Sequence, residues 1–246
     1  MDLVEYTYDS AFMGLAARSR HSARVIVDLI RAALPVSSVA DFGCALGTWL
    51  SVWRQAGVED VIGVDGSYVQ IDELQIPAPL FRAHDLTSSI DLGRRFDHVE
   101  CMEVAEHLPG SAADGFVASL VRHADVVLFS AAPPGQGGEN HINEQPYAYW
   151  RACFARHGYR MFDWLRPQLA GRTDVQYWYR YNVFLFVAQD RIAALPPPIR
   201  ACEVVPHERI RDLSPWTFKL RKALVRRLPH GLQNRMSRAM LRLRGL

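Results

Sequence analysis

The sequence predicts an α/β protein: five parallel strands and a terminal antiparallel hairpin in one sheet, flanked by helices, with a helical tail at the C-terminus. Three observations carry that expectation. Between residues 39 and 130, short apolar runs alternate with segments of helical period, as in strands joined by crossover helices. Two longer aromatic-rich runs, 159–165 and 177–188, then follow without a convincing helix between them, which reads as a hairpin. Past Pro196-Pro197-Pro198 the chain turns basic, with large apolar residues every four positions.

The elements follow in order. A helix is expected over 11–33, then strands over 39–42, 61–65, 79–83, 96–102 and 124–130. Helical segments fall over 48–56, with Trp49, Leu50 and Trp53 on one side, and over 115–122, with Phe116, Leu120 and Val121. Read as a strand, 177–188 puts Tyr177, Tyr179 and Tyr181 on one face, to be buried against helices or offered as a stacking platform for a sugar or base. Trp216, Leu220, Leu224 and Leu228, then Leu232, Met236, Ala239 and Leu243 beyond Pro229-His230-Gly231, predict two amphipathic helices.

Composition bounds the class. With 49% hydrophobic and 22% charged residues, the 246-residue chain has the apolar surface for a core and too much of it for disorder. The proline group divides it into an expected domain over 1–195 and a tail over 196–246. Cys44, Cys101, Cys153 and Cys202 are scattered with no C-x-x-C pair, which argues against a disulfide framework or thiolate zinc site and for the cytoplasm. There is no run of roughly 18 uncharged apolar residues, and Asp2 and Glu5 stand where a signal peptide would be basic, so neither a spanning helix nor a signal peptide is expected.

The net charge of +2 hides an asymmetry: residues 208–246 hold eleven Lys or Arg against two acids, a balance of +9, leaving residues 1–207 at −7. A basic helix with Trp and Leu on its other face suits an anionic membrane, a phosphate backbone, a partner, or its own domain. Of the external surfaces, the inner face of a membrane is favoured over nucleic acid. The sequence leaves oligomeric state open.

The stretch Asp41-Phe42-Gly43-Cys44-Ala45-Leu46-Gly47-Thr48 leaves a strand through a glycine-containing turn into a helix, where open parallel sheets bind nucleotide-like ligands. Gly43 and Gly47 allow close backbone approach. Neither the G-x-G-x-x-G of dinucleotide sites nor a P-loop is present. Acids instead mark successive strand ends: Asp41, Asp65, Asp85 and Glu103. Such carboxylates repel phosphates and suit a ligand with hydroxyls, an amine and a positive charge, the properties of S-adenosylmethionine.

These segments resemble class I, Rossmann-like S-adenosylmethionine-dependent methyltransferases, especially those of bacterial glycan and secondary-metabolite pathways. D-F-G-C-A-L-G is similar to their glycine motif, V-I-G-V-D to their acidic second strand, R-A-H-D-L-T to their third motif and F-D-H-V-E-C-M-E-V-A-E-H-L to their fourth, so the resemblance covers about residues 36–188. Ala45 departs from the usual glycine. The resemblance implies that Asp65 binds ribose hydroxyls and that Asp85, beside Leu86, takes the adenine amine. It also implies that the Gly43 loop faces the methionine part, that Asp41 and Gly47 belong to the cofactor site, and that Cys101 to Glu103 close the cofactor wall.

Two segments on the ligand edge hold catalytic candidates: Glu103-Val104-Ala105-Glu106-His107 and Gly137-Gly138-Glu139-Asn140-His141-Ile142-Asn143-Glu144-Gln145. The second, with Pro146-Tyr147-Ala148-Tyr149-Trp150 behind it, resembles glycan-pathway methyltransferases. It points to O-methylation of a sugar or similar hydroxyl acceptor, with His141 as general base and His107 as a second imidazole. Asn140, Asn143, Glu144, Gln145 and Tyr149 are candidate acceptor contacts. Alternatively, E-x-x-E-H resembles the metal motif of small-RNA 3′-end 2′-O-methyltransferases, with Glu103, Glu106, His107 and His141 holding magnesium or manganese. Another small natural product as acceptor, or a non-catalytic cofactor-binding scaffold, are further readings, and nitrogen or carboxylate acceptors, which would not require His141 as base, stay open. Tyr6, Tyr8, Phe12 and Ser19-Arg20-His21-Ser22 are expected to form a lid or a wall on the acceptor side, with His21 on a helix surface rather than acting as a base.

Overall fold

The central strands are apolar on both faces because helices cover both. In a computed structural model, which describes residues 19–243, helix α1 (Arg20–Ala33) leads into β1 (Ser38–Phe42). Helix α2 (Thr48–Gln55) and strands β2 (Asp60–Asp65), β3 (Phe81–Ala83) and β4 (His98–Met102) follow. Then come α3 (Ala113–His123), β5 (Val126–Ser130), α4 (Tyr147–Arg156) and β6 (Tyr159–Phe162). Short helices α5 (Arg166–Leu169) and α6 (Tyr177–Asn182) precede β7 (Phe184–Ala188), and α7 (Pro197–Arg200) connects to α8 (Trp216–Val225) and α9 (His230–Leu243).

Seven strands form one sheet in the order β3-β2-β1-β4-β5-β7-β6, with β3 to β5 parallel and β7 antiparallel to both neighbours. The expected sheet is present, and the period-2 alternation of its strands sorts the core into two layers. Val39, Val61, Leu128, Leu185 and Val187 pack with Ile26, Trp49 and Trp53 on one side. Ala40, Val127, Phe129 and Phe186 pack with Phe116, Leu120 and Phe154 on the other, where Phe154 stacks on Phe186 at 3.8 Å.

The connection inside the hairpin differs from expectation. Residues 177–182 are helical, and the strand begins only at Phe184. The alternating tyrosines satisfy a helix as well: Tyr177 and Tyr181, four apart, both meet Phe218, while Tyr179 turns toward Trp49 at 5.1 Å. Tertiary packing therefore overrides the period-2 reading.

Beyond the proline group the chain remains attached to the sheet: Ile199 is fully buried and the Val204 amide donates to the Met161 carbonyl. The two tail helices form where expected. No helix among the described residues is long and apolar enough to cross a membrane. The start of the predicted 11–33 helix, with Tyr6, Tyr8 and Phe12, lies outside the described residues.

Candidate active site

The β1–α2 turn depends on backbone conformations that few side chains tolerate. Gly43 has φ +87°, and a Cβ there would come within 2.3 Å of Val104 Cγ2. Gly47 has φ +74° and starts α2, with its amide donating to the Cys44 carbonyl at 2.8 Å. Between them Ala45 is held at φ +47°, where a glycine would be unstrained. Its amide donates to Asp65 Oδ2 at 2.7 Å, which ties the turn to the end of β2. Asp65 Oδ1 accepts from the Gly66 amide and the Tyr68 hydroxyl. Burial raises the Asp65 carboxyl above its ordinary range, partly offset by these hydrogen bonds.

Beneath the turn lies a second tier of acid. Strand register sets Asp41 beside Glu100, both buried. Burial pushes Glu100 up to about 8 although Trp53 Nε1 donates to it at 2.9 Å. Burial, then Glu100 and Asp65, push Asp41 well up, and burial followed by neighbouring carboxylates does the same to the Cys44 and Cys101 thiols. His98, fully buried in the same strand, is lowered by burial to about 3 and is neutral. This set of buried carboxyl acceptors, whose ionised form an adjacent cation would favour, fits a cationic nucleoside bearing hydroxyls and an amine.

Asp85 is exposed and accepts from the Thr87 amide and hydroxyl, both at 2.8 Å, while Leu86 is buried in the core. Thus Asp41, Gly43, Gly47, Asp65 and Cys101 gather at one end of β1, β2 and β4, and Asp85 stands just past β3.

Glu103 opens the other half of the site. It takes a left-handed conformation, φ +59°, with its amide donating to both the Ser130 carbonyl and hydroxyl at 3.0 Å. Its carboxylate accepts from Gln136 Nε2 at 2.7 Å and Asn182 Nδ2 at 3.1 Å, while the same Asn182 amide donates to Gln136 Oε1 at 2.8 Å. Tyr147 donates its hydroxyl to Asn182 Oδ1 at 2.9 Å. Burial raises Glu103 against the pull of these donors.

The loops after β4 and β5 are stitched together: the Ile142 and Asn143 amides donate to the Glu106 carbonyl at 3.0 and 2.9 Å. One ligand atom each from Glu106, His107 and His141 then lie within 4.8 Å of one another. Of the four residues expected to hold a metal, the structure clusters these three and gives Glu103 to the amide network. Burial, then Glu103, push Glu106 well up, and burial followed by His141 pushes His107 well below its ordinary value. The His107 and His141 rings meet edge to face at 4.8 Å. His141 Nδ1 lies 3.0 Å from Glu144 Oε1, and Glu144 accepts from the Gly135 and Gly137 amides at 2.7 Å. Gly138 is required here, since a Cβ would stand 2.0 Å from His141 Nε2.

The remaining acceptor candidates follow in the same stretch of chain. Asn140 has φ +56°, Asn143 Nδ2 donates to the Ala105 carbonyl at 3.3 Å, and Gln145 Nε2 donates to Asn143 Oδ1 at 2.9 Å. Tyr149 is half-buried against Trp150.

Sequence reasoning did not single out Glu100, Gln136 or Asn182. Glu100 carried a signal, an acid inside a buried central strand; Gln136 and Asn182 carried none. Nor was Arg221 expected, yet its guanidinium donates to the Gln136 carbonyl at 2.7 Å. A small recess lies here, lined among others by Gln136, Tyr177, Tyr181, Asn182, Phe218 and Arg221.

The methyltransferase-domain family matches residues 17–162. Among solved structures, magnesium protoporphyrin IX methyltransferase (ChlM) from Synechocystis PCC 6803, with bound SAH, is 23% identical with a TM-score of 0.53, covering 74% of this chain and 90% of that one. Streptomyces venezuelae DesVI is 18% identical with a TM-score of 0.55 over 74% of this chain and 100% of its own. SAM-bound CalS10, an amino pentose methyltransferase from Micromonospora echinaspora involved in calicheamicin biosynthesis, is 18% identical with a TM-score of 0.53 over 74% and 98%. The chain matches no curated protein. The acids and glycine turn on this sheet, with a family match spanning more than half of its length, establish that the chain belongs to the class I S-adenosylmethionine-dependent methyltransferases.

Proposed function

We propose that the chain methylates a hydroxyl oxygen of a sugar or similar polyol, with His141 as general base. The observation that carries this reading is the His141–Glu144 pair at 3.0 Å, with Glu144 fixed by two backbone amides. In the tautomer whose Nδ1–H donates to Glu144, Nε2 is the nitrogen that receives the acceptor's proton. When bound, S-adenosylmethionine supplies a methyl group on an excellent leaving group. The chain need only bind, align and deprotonate. Asp65 is assigned to the ribose hydroxyls, Asp85 with Leu86 to the adenine, and the Gly43 turn, with Asp41, to the methionine part. Cys101 and Glu103 wall the cofactor, and Asn140, Asn143, Gln145 and Tyr149 orient the acceptor.

The test is His141→Gln, assayed by release of the demethylated cofactor over a panel of saccharides. Turnover falls by about 10²–10⁴ while cofactor affinity is retained. Equal turnover of the two proteins at neutral pH overturns the assignment of His141.

The Glu106–His107–His141 cluster favours a second reading, in which these residues hold a divalent cation that engages vicinal hydroxyls, as on an RNA 3′ end. A cation beside Glu106 and the two imidazoles would favour the ionised carboxylate that burial disfavours, and two nitrogen ligands suit manganese better than magnesium. Activity abolished by exhaustive chelation and restored by manganese supports this reading; unchanged activity rejects it. Protection by an RNA oligonucleotide, steeply salt-dependent, marks that acceptor, whereas a small natural product shows neither effect. Turnover of any acceptor discards a purely scaffolding role.

A further inference from the structure

Helix α8 has two unlike sides. Phe218, Arg221, Lys222 and Val225, spaced as one helical face, look inward: Phe218 meets Tyr177 at 4.6 Å, Arg221 holds the Gln136 carbonyl, Lys222 pairs with Asp212 at 2.5 Å, and Val225 faces Gly137. The approach is close enough that a Cβ at Gly135 would lie 2.1 Å from the Lys222 carbonyl oxygen. The other side carries Trp216, Leu220 and Leu224, spaced four apart and 74%, 53% and 56% exposed. Leu232 and Met236 continue the exposed apolar series on α9. Lys219, Arg226, Arg227 and Arg235 are exposed among them, and no acid occurs from residue 213 to the C-terminus.

We propose that this outer face docks the enzyme on an anionic lipid surface. Two independent features select that occupant. The apolar series matches the acyl boundary, and the lysines and arginines match anionic headgroups. Nucleic acid satisfies only the cations. A second tail would bring like charges together. Among the described residues nothing offers such a series a partner: the other exposed large apolar side chains are Ile71, Ile142 and Val205, each separate in sequence. The acidic body, at −7, is repelled by the same surface, which orients the tail toward it. Because the inner face of α8 holds Gln136, itself bonded to Glu103, docking brings the Gln136–Glu103 side of the site toward the membrane and suits a lipid-anchored acceptor. This last consequence rests on the proposed methyl transfer; the docking does not.

The experiment is co-sedimentation of the full chain, without methyl donor, with phosphatidylcholine vesicles with and without phosphatidylglycerol. The native chain sediments with phosphatidylglycerol vesicles, less at high salt, and stays in solution with phosphatidylcholine alone. The double variant Leu220→Ser/Leu224→Ser weakens binding at least tenfold. Arg226→Gln/Arg227→Gln weakens it roughly thirtyfold, as expected for two cations near an anionic surface. None of these side chains faces the site. Equal sedimentation of native chain and leucine variant, or none with phosphatidylglycerol, overturns the proposal. So does a native dimer that Leu220→Ser/Leu224→Ser converts to monomer, which assigns the face to self-association, or full competition by an RNA oligonucleotide. Because no methyl donor is present, a negative result leaves the methyltransferase reading intact.

Discussion

Around the glycine turn, each contact of the Asp65 carboxylate stays within one strand-turn-helix-strand unit: its partners Gly66, Tyr68 and Ala45 lie 1, 3 and 20 residues away. On the acceptor side, Glu103 reaches Gln136 and Asn182 across 33 and 79 residues, and Arg221 reaches Gln136 across 85. One half is held by the strand-turn-helix units that form it. The other is assembled only when the loop after β5, helix α6 and the tail come together, so its geometry is set by tertiary packing and its chemistry is open to change.

The largest effect expected is at Gly43. Gly43→Ala forces a Cβ into Val104 at a left-handed backbone position, and denaturant unfolding should show a loss of about 2–4 kcal/mol. A smaller loss would mean that the turn yields, and the rigid half is not rigid.

On the assembled half, Asn182→Ala strips a donor from Glu103 and Gln136 and an acceptor from Tyr147, and is expected to cost about 1–3 kcal/mol. The same variant should lower turnover more than cofactor affinity. An equal effect on both would erase the distinction between the halves.

This division also explains what could be read in the sequence. The order of the strands, the glycine turn and the acids at the strand ends are local patterns, and each lies where its pattern put it. The segment 177–182 was ambiguous because its tyrosines satisfy both period 2 and a helical i, i+4 pair; Phe218 on the tail and Trp49 decided between them. Asn182 and Gln136 are common polar residues in loops or helix ends, and nothing local marks them as partners of Glu103. His141 and Glu144, three apart, were legible because both lie in one short segment.

The buried tier gives a pH signature. Folding raises Glu100 from its ordinary 4.5 to about 8, so between those values the native state holds a proton that the unfolded chain has released. This contribution is complete below about 4.5 and is lost as pH rises through about 8. Glu100→Gln, which keeps an acceptor for Trp53, should flatten the fall in stability between about pH 4.5 and 8, measured by urea unfolding. An unchanged slope would place the titrating group elsewhere.

The smallest effect sharpens the comparison from the rigid side. Ala45→Gly relieves a left-handed alanine while retaining the amide that Asp65 accepts, and should gain about 1 kcal/mol of stability. No gain would mean that Asp65 already offsets the strain.

The central claim is that the acids around the glycine turn hold the methyl donor. Isothermal titration of the native chain with S-adenosylmethionine tests it most directly. Saturable one-site binding is predicted, weakened at least tenfold in Asp65→Ala; a native chain that binds no S-adenosylmethionine, or an Asp65→Ala variant that binds it equally well, would contradict the account.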